Sequence, residues 1–241
     1  MAFTGFEQAV VLDTETTGLD PDQDRIVSLA LCKVNFSDLR HSPENLADGL
    51  EMEYVFDPGQ PIPEGASRVH GIFDQDVAGK PRFDEKSKEI RDFIGKLPII
   101  GHNVSFDKRI LGAELKRAGE RTLSRNKSYC TMTWFQKYNS GWRKGSTLKN
   151  ATRWFGLPVG RCHDAMEDTR MAARLASVFY MVDNNIEVPG GFPEAPSADQ
   201  WFEFIREDVG EYKNGLSDKD NNLFTVILIV LVAIIIWWLF F

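Results

Sequence analysis

The stretch AVVLDTETTGL at residues 9–19 drives an apolar run into two acids, Asp13 and Glu15. On a strand, alternate residues share a face, so both carboxylates project together. Like charges held that close resist ionising together unless a cation lies between them. A divalent metal is the simplest resolution, and oxygen-only ligands favour Mg²⁺ or Mn²⁺ over zinc. Two solvated acids beside a turn are the competing reading of a bare D-x-E. The hydrophobic lead-in and the Thr16-Thr17-Gly18 turn weigh against it.

Two further acids fit the same chemistry. Asp107 lies in GHNVSFDKRIL, where a short strand turns into a helix. An acid in the first turn of a helix is ordinary, because the macrodipole stabilises it. Asp168 lies in HDAMEDTRMAARL, about one turn into a long helix. Asp164 and Glu167 read there as a D-x-x-E capping box. Capping leaves Asp168 unexplained, among Ala165, Met171 and Ala172 on an inward face. His163 precedes this helix. A lone histidine more often fills surface or core, but beside metal-holding acids a neutral imidazole can take a proton from water.

These side chains need elements to carry them. Strands are expected at 8–13, 25–34 and 50–56, separated by turn-rich stretches such as Gly18-Leu19-Asp20-Pro21 and Asp57-Pro58-Gly59. Consecutive strands with short turns predict an antiparallel meander. Residues 61–77 read as loop and a short helix. Ile90, Phe93 and Ile94 recur at helical spacing within 84–96. A short strand at 97–101 follows, then a helix at 105–119 with Ile110, Leu111 and Leu115 on one face. Helices at 131–138, 147–155 and 164–182 complete the series. Strands first, then helices with a short strand between them, predict an α/β domain with a mixed sheet.

Composition sets the outer bounds. The chain has 241 residues, 43% hydrophobic and 26% charged, which fits one domain plus an appendage and excludes wholesale disorder. Cys32, Cys130 and Cys162 are scattered, so they read as reduced thiols and exclude a disulfide framework or zinc site. The N-terminus lacks the basic and apolar regions of a signal peptide. The net charge of −7 is uneven: residues 108–170 hold 14 Lys+Arg against 5 Asp+Glu, whereas 183–220 hold 3 against 10. The first stretch suits phosphates and the second a repelling spacer, with ordinary solvated surface open for both.

After about residue 183 the chain becomes rich in Pro and Gly, with Trp201, Phe202 and Ile205 available to dock on the domain. The end, LFTVILIVLVAIIIWWLFF, carries no charge. As a helix it spans roughly 28 Å, close to a bilayer's hydrocarbon core. The expected organisation is a folded domain over 1–182, an acidic arm and linker over 183–222, and a single-pass C-terminal transmembrane helix over 223–241. Trp237 and Trp238 suit the membrane interface. Unpaired thiols and the lack of a signal peptide place the folded domain on the cytoplasmic side.

In order and spacing, DTETTG, HNVSFD and HDAMED resemble the three exonuclease motifs of the DnaQ-like superfamily, over residues 9–182. His163, with an acid five residues later, resembles the DEDDh branch. The resemblance implies an RNase H-like mixed sheet flanked by helices. It also implies a metal-dependent 3′→5′ exonuclease. Asp13, Glu15, Asp107 and Asp168 would hold two divalent ions, Mg²⁺ or Mn²⁺, with His163 as general base. The substrates would be 3′ ends of single-stranded DNA or RNA and the products 5′ nucleoside monophosphates. The resemblance further sets Thr16 at the terminal sugar and Leu19 on the terminal base, with a tucked turn residue equally open for Leu19. His102 and Asn103 are expected to orient the second motif's loop, and His70, in RVHGI, to be structural. Lys144, Lys149 and Arg153 are candidates for phosphate contact, with Trp142 for stacking; a solvated helix face is the rival reading. A noncatalytic membrane-tethered nucleic-acid-binding or adaptor module is the alternative function, opposed by the intact acid set. No motif names a protein partner.

Overall fold

A computed structural model describes residues 2–36, 50–138, 146–188 and 191. The chain divides into two compact units, Met1–Ala195 and Pro196–Phe241, and every described residue lies in the first. The expected membrane helix at 223–241 lies outside the described residues, as do Trp142, Lys144 and the docking residues near Trp201. Among the described residues, no helix is long and apolar enough to cross a membrane.

The sheet forms around the apolar run at the start of the chain. β1 (Gln8–Thr16), β2 (Ile26–Asn35) and β3 (Leu50–Val55) pair antiparallel in sequence order, the expected meander. On the other side of β1, β4 (Ile99–Gly101) and then β5 (Ser128–Cys130) add in parallel, giving the order β3-β2-β1-β4-β5. The sheet is therefore mixed, with β1 at its centre. The first strand runs past its expected end at Asp13. β2 goes on supplying ladder partners, Asp13 to Ala30 and Glu15 to Ser28, so the acids are paired strand residues. The three-residue β5 went unforeseen, since its sequence is too short to show any periodicity.

Seven helices complete the described part: α1 (Glu64–His70), α2 (Asp74–Val77), α3 (Phe83–Ile94), α4 (Val104–Arg117), α5 (Thr131–Tyr138), α6 (Leu148–Trp154) and α7 (Ala165–Asp183). The short helix expected in 61–77 is two, broken at Gly71, whose φ of 74° ends α1. Gly95, at φ 54°, ends α3 one residue beyond Ile94, short of the expected 96.

Alternation along β1 sorts its side chains between two layers. Val10 and Leu12 join Ile90 and Ile94 of α3 and Ile110, Leu111 and Leu115 of α4 in the main core. Burial of each such side chain stabilises the fold by about 1.5–3 kcal/mol. Ala9, Val11, Asp13 and Glu15 point to the opposite face. There Ala30, the ladder partner of Asp13, packs on Ala165 and Met166 of α7. Buried Ala165, Ala172, Ala173 and Ala176 let α7 lie close to the sheet. Its far end is fastened to the N-terminus: Asp183 accepts from the Phe3 N–H at 2.6 Å and from Trp134 Nε1 at 2.8 Å.

Candidate active site

Three elements bring the acids together. β1 supplies Asp13 and Glu15 toward the α7 face, while Thr14 between them points the other way. There both the N–H and the hydroxyl of Thr14 donate to Asp107 Oδ1, at 3.1 and 2.8 Å. Asp107 reaches this position because the chain turns sharply from β4 into α4. A Cβ on Gly101 would stand only 3.2 Å from the Leu12 carbonyl oxygen, so glycine permits the close passage of β4 along β1. Asn103 then takes a left-handed conformation, φ 75°, and starts α4.

The third element is α7. Asp164 caps it by accepting from the Glu167 N–H at 3.2 Å. The expected capping box is half formed, because the Glu167 carboxylate pairs instead with Arg170 at 2.8 Å. Asp168, one turn in, is buried on the sheet side as expected. Its Oδ2 accepts from the His163 main-chain N–H at 3.0 Å. Its Oδ1 is buried with no hydrogen-bond partner among the described residues. His163 holds a left-handed backbone, φ 60°, and its side chain is exposed. Glu15, His163 and Asp168 each offer a ligand atom, and these atoms lie within 4.8 Å of one another.

The electrostatics of the four carboxyls agree with the geometry. Burial, reinforced by Asp107, Asp168 and Glu15, raises the Asp13 pKa well above the usual carboxylate range. Burial and then Asp168 and Asp107 push Glu15 up to about 8. Asp107 is raised to about 7 by burial, although the Thr14 hydrogen bonds oppose the shift. Asp168 is also raised to about 7, again chiefly by burial, with the His163 N–H opposing. Four carboxyls that disfavour one another's charge, with an orphaned Asp168 oxygen among them, form a site suited to a divalent cation.

The remaining expected residues separate into two groups. Thr16 is buried and donates its hydroxyl to the Gly18 carbonyl at 2.7 Å, tightening the β1–β2 turn. Leu19 is 78% exposed on that turn, so it is not tucked against the core. His102 bridges Thr131 Oγ1 at 2.9 Å and the Ser146 carbonyl at 2.8 Å, securing the end of β4. Lys149 is buried, as are Asn150, Ala151, Thr152 and Trp154, so this part of α6 is not a solvated face. Sequence reading passed over Thr14. Its place between two acids, on the opposite face of the strand, was the available signal.

A family model described as exonuclease (RNase_T) matches residues 10–176. The chain belongs to this exonuclease family. DNA polymerase III subunit epsilon of Treponema pallidum is 31% identical over 176 residues, covering 73% of this chain and 74% of the relative. E. coli exonuclease I in complex with a dT13 oligonucleotide shares the fold, with a TM-score of 0.60, 19% identity and 72% of this chain covered. The zinc-bound form of the E. coli exonuclease I–single-stranded DNA complex gives 0.58, 20% identity and 73%. The chain spans about two fifths of exonuclease I, 41% and 40% in these structures. The protein is thus a hydrolase acting on nucleic acids, and exonucleases of this type use divalent metal ions.

Proposed function

We propose that this exonuclease degrades single-stranded DNA or RNA from the 3′ end, releases 5′ nucleoside monophosphates, and is tethered to a membrane through residues 223–241. The observation that carries the catalytic reading is the gathering of Glu15, His163 and Asp168 at ligand distance, with Asp13 and Asp107 near enough to add to the repulsion among the carboxyls. Asp13, Glu15, Asp107 and Asp168 would hold two divalent cations, Mg²⁺ or Mn²⁺. When bound, these supply Lewis-acid activation and offset negative charge at the scissile phosphate.

The protein's own residues complete the reaction. His163 accepts a proton at a ring nitrogen as water attacks the last phosphodiester, and the bond to the 3′ oxygen breaks. Its backbone bond to Asp168 keeps the imidazole at the mouth of the site. Thr16, whose hydroxyl donates to the Gly18 carbonyl in the β1–β2 turn, would meet the terminal sugar, and exposed Leu19 would offer apolar surface to the terminal base. The oligonucleotide-bound exonuclease I neighbours support a single strand as substrate.

The tether rests on the uncharged run at 223–241. Its proposed arrangement is a catalytic domain over 1–182 on the cytoplasmic side, joined by the acidic linker 183–222.

Labelled single-stranded DNA and RNA, incubated with the protein and Mg²⁺, Mn²⁺ or EDTA, test the enzyme. Metal-dependent laddering from the 3′ end, lost in Asp13→Ala, is expected; binding without product in either metal overturns it. Membrane fractionation of the whole chain and of a chain ending at residue 222 tests the tether. Recovery of the whole chain in the soluble fraction would refute it.

A further inference from the structure

The β1–β2 ladder contains a bulge beside the site. Glu15 pairs with Ser28 but Thr16 pairs with Ile26, which leaves Val27 as the extra residue of β2. Bulges bend a strand and re-aim its neighbours, and they recur next to active sites. Val27 is fully buried in a small cluster with Ile62 and Val77, against which Ala66 and Ile72 pack. The α1–α2 layer therefore sits on the bulge that presents Glu15. Gln60 ties the same layer to the turn, donating to Thr17 Oγ1 at 3.1 Å.

His70 occupies the last position of α1, before the left-handed Gly71. The Ile72 N–H donates to His70 Nδ1 at 3.1 Å. A neutral imidazole that accepts at Nδ1 carries its proton on Nε2. That Nε2 is buried and has no hydrogen-bond partner among the described residues. The ring is close enough to the main chain of Thr16 and to His163 to feel both. The Thr16 group favours the charged ring, so it is an acceptor, the carbonyl, lying short of hydrogen-bond geometry. A buried N–H without a partner is costly, and such groups persist where function uses them. Hydrogen bonds of active sites are often long in the free enzyme and tighten on loading.

We propose that His70 is a positioning residue of the exonuclease centre, whose Nε2–H closes a hydrogen bond to the Thr16 carbonyl when a 3′-terminal nucleotide loads. This rests on the catalytic reading above. His70 acts through the Glu15–Thr16 bulge, holding Glu15 in its site and the turn against the terminal sugar.

Three variants of the whole chain test it on 5′-labelled single-stranded DNA. His70→Phe keeps a ring without a donor, His70→Asn carries its amide near the Nδ1 position, and His70→Gln restores an N–H near the Nε2 position. The expected result is a loss of about tenfold in kcat at saturating DNA and Mg²⁺ for Phe and Asn, with most of it recovered by Gln. The Asn variant decides the matter if the Phe variant does not fold. An active wild-type enzyme whose Asn variant matches it, or whose Gln variant is as weak as Asn, overturns the role of His70. A wild-type chain without metal-dependent laddering overturns the catalytic reading beneath it.

Discussion

Thr14 and Asp107, 93 residues apart in sequence, are joined at a single oxygen that accepts both the main-chain and hydroxyl donors of Thr14. The pair locks the first turn of α4 to the central strand and sets one carboxylate of the site against the other two elements. Thr14→Val removes the hydroxyl donor and leaves the main-chain one. Hydrogen bonds to charged groups contribute about 1.5–3 kcal/mol, so kcat/KM is expected to fall roughly tenfold or more. The deficit should be larger at limiting than at saturating Mg²⁺, because Asp107 is less well held as a ligand. Equal deficits at both concentrations would count against this role for Thr14.

His163 is both the expected base and a member of the triad within ligand distance, and one substitution separates these roles. Asparagine tolerates the left-handed backbone at this position, so His163→Asn keeps the N–H bond to Asp168. Loss of a general base costs about 10²–10⁴ in rate. The variant is expected to lose that much activity while Mg²⁺ or Mn²⁺ still raises its melting temperature as in the wild type. A lost thermal response to metal would instead make His163 a ligand.

Much of this site was legible before the fold was known, for identifiable physical reasons. Acids that follow an apolar strand, and an acid on the inward face of α7, break the binary pattern and so announce themselves. The meander and the long helices carry enough periodic residues to be read. Thr14, Glu15 and Thr16 look like the start of a turn because polarity, not backbone pairing, is visible in sequence. The ladder with β2 decides otherwise. No spacing pattern ties His70 to β1. The cluster at the Val27 bulge, against which Ala66 packs, holds α1 there. Lys149 looks like surface because its charge suggests it, whereas α6 turns inward, with Trp154 edge-on to Phe135 of α5.

The β1–β2 turn has its own foundation in Glu114. This buried carboxylate receives Arg25 through two bonds, at 2.7 and 3.0 Å, and the Ile26 N–H at 3.2 Å. Arg117 extends the anchor by donating to the Pro21 and Asp24 carbonyls. Glu114→Ala strands the half-buried Arg25 and the Ile26 donor together. A loss of about 3 kcal/mol in unfolding free energy is expected, less for Glu114→Gln, by chemical denaturation. A Glu114→Gln protein as stable as wild type would show that the charge of Glu114 contributes nothing, and a Glu114→Ala protein as stable as wild type would overturn the anchor itself.

The carboxyl cluster makes metal-free stability depend on pH in a direction opposite to ordinary salt-bridged acids. Asp13, Glu15, Asp107 and Asp168 all have higher pKa values folded than unfolded, with Glu15 near 8 and Asp107 and Asp168 near 7. Unfolded carboxyls titrate near 4, so between about pH 4 and 8 the native state binds more protons than the unfolded state. Stability from this cluster is therefore complete below about pH 4 and is lost as pH rises toward 8. Divalent cations compete with those protons, so metal should stabilise the protein more at pH 8 than at pH 5.5. Melting curves in EDTA and in saturating Mg²⁺ across this range measure the effect. Glu15→Gln sharpens the test: it should raise the melting temperature in EDTA at pH 8 by removing a buried like charge, and shrink the response to Mg²⁺. A metal increment that stays flat from pH 5.5 to 8, or a Glu15→Gln protein destabilised in EDTA at pH 8, would rule out a cluster strained by its own charge.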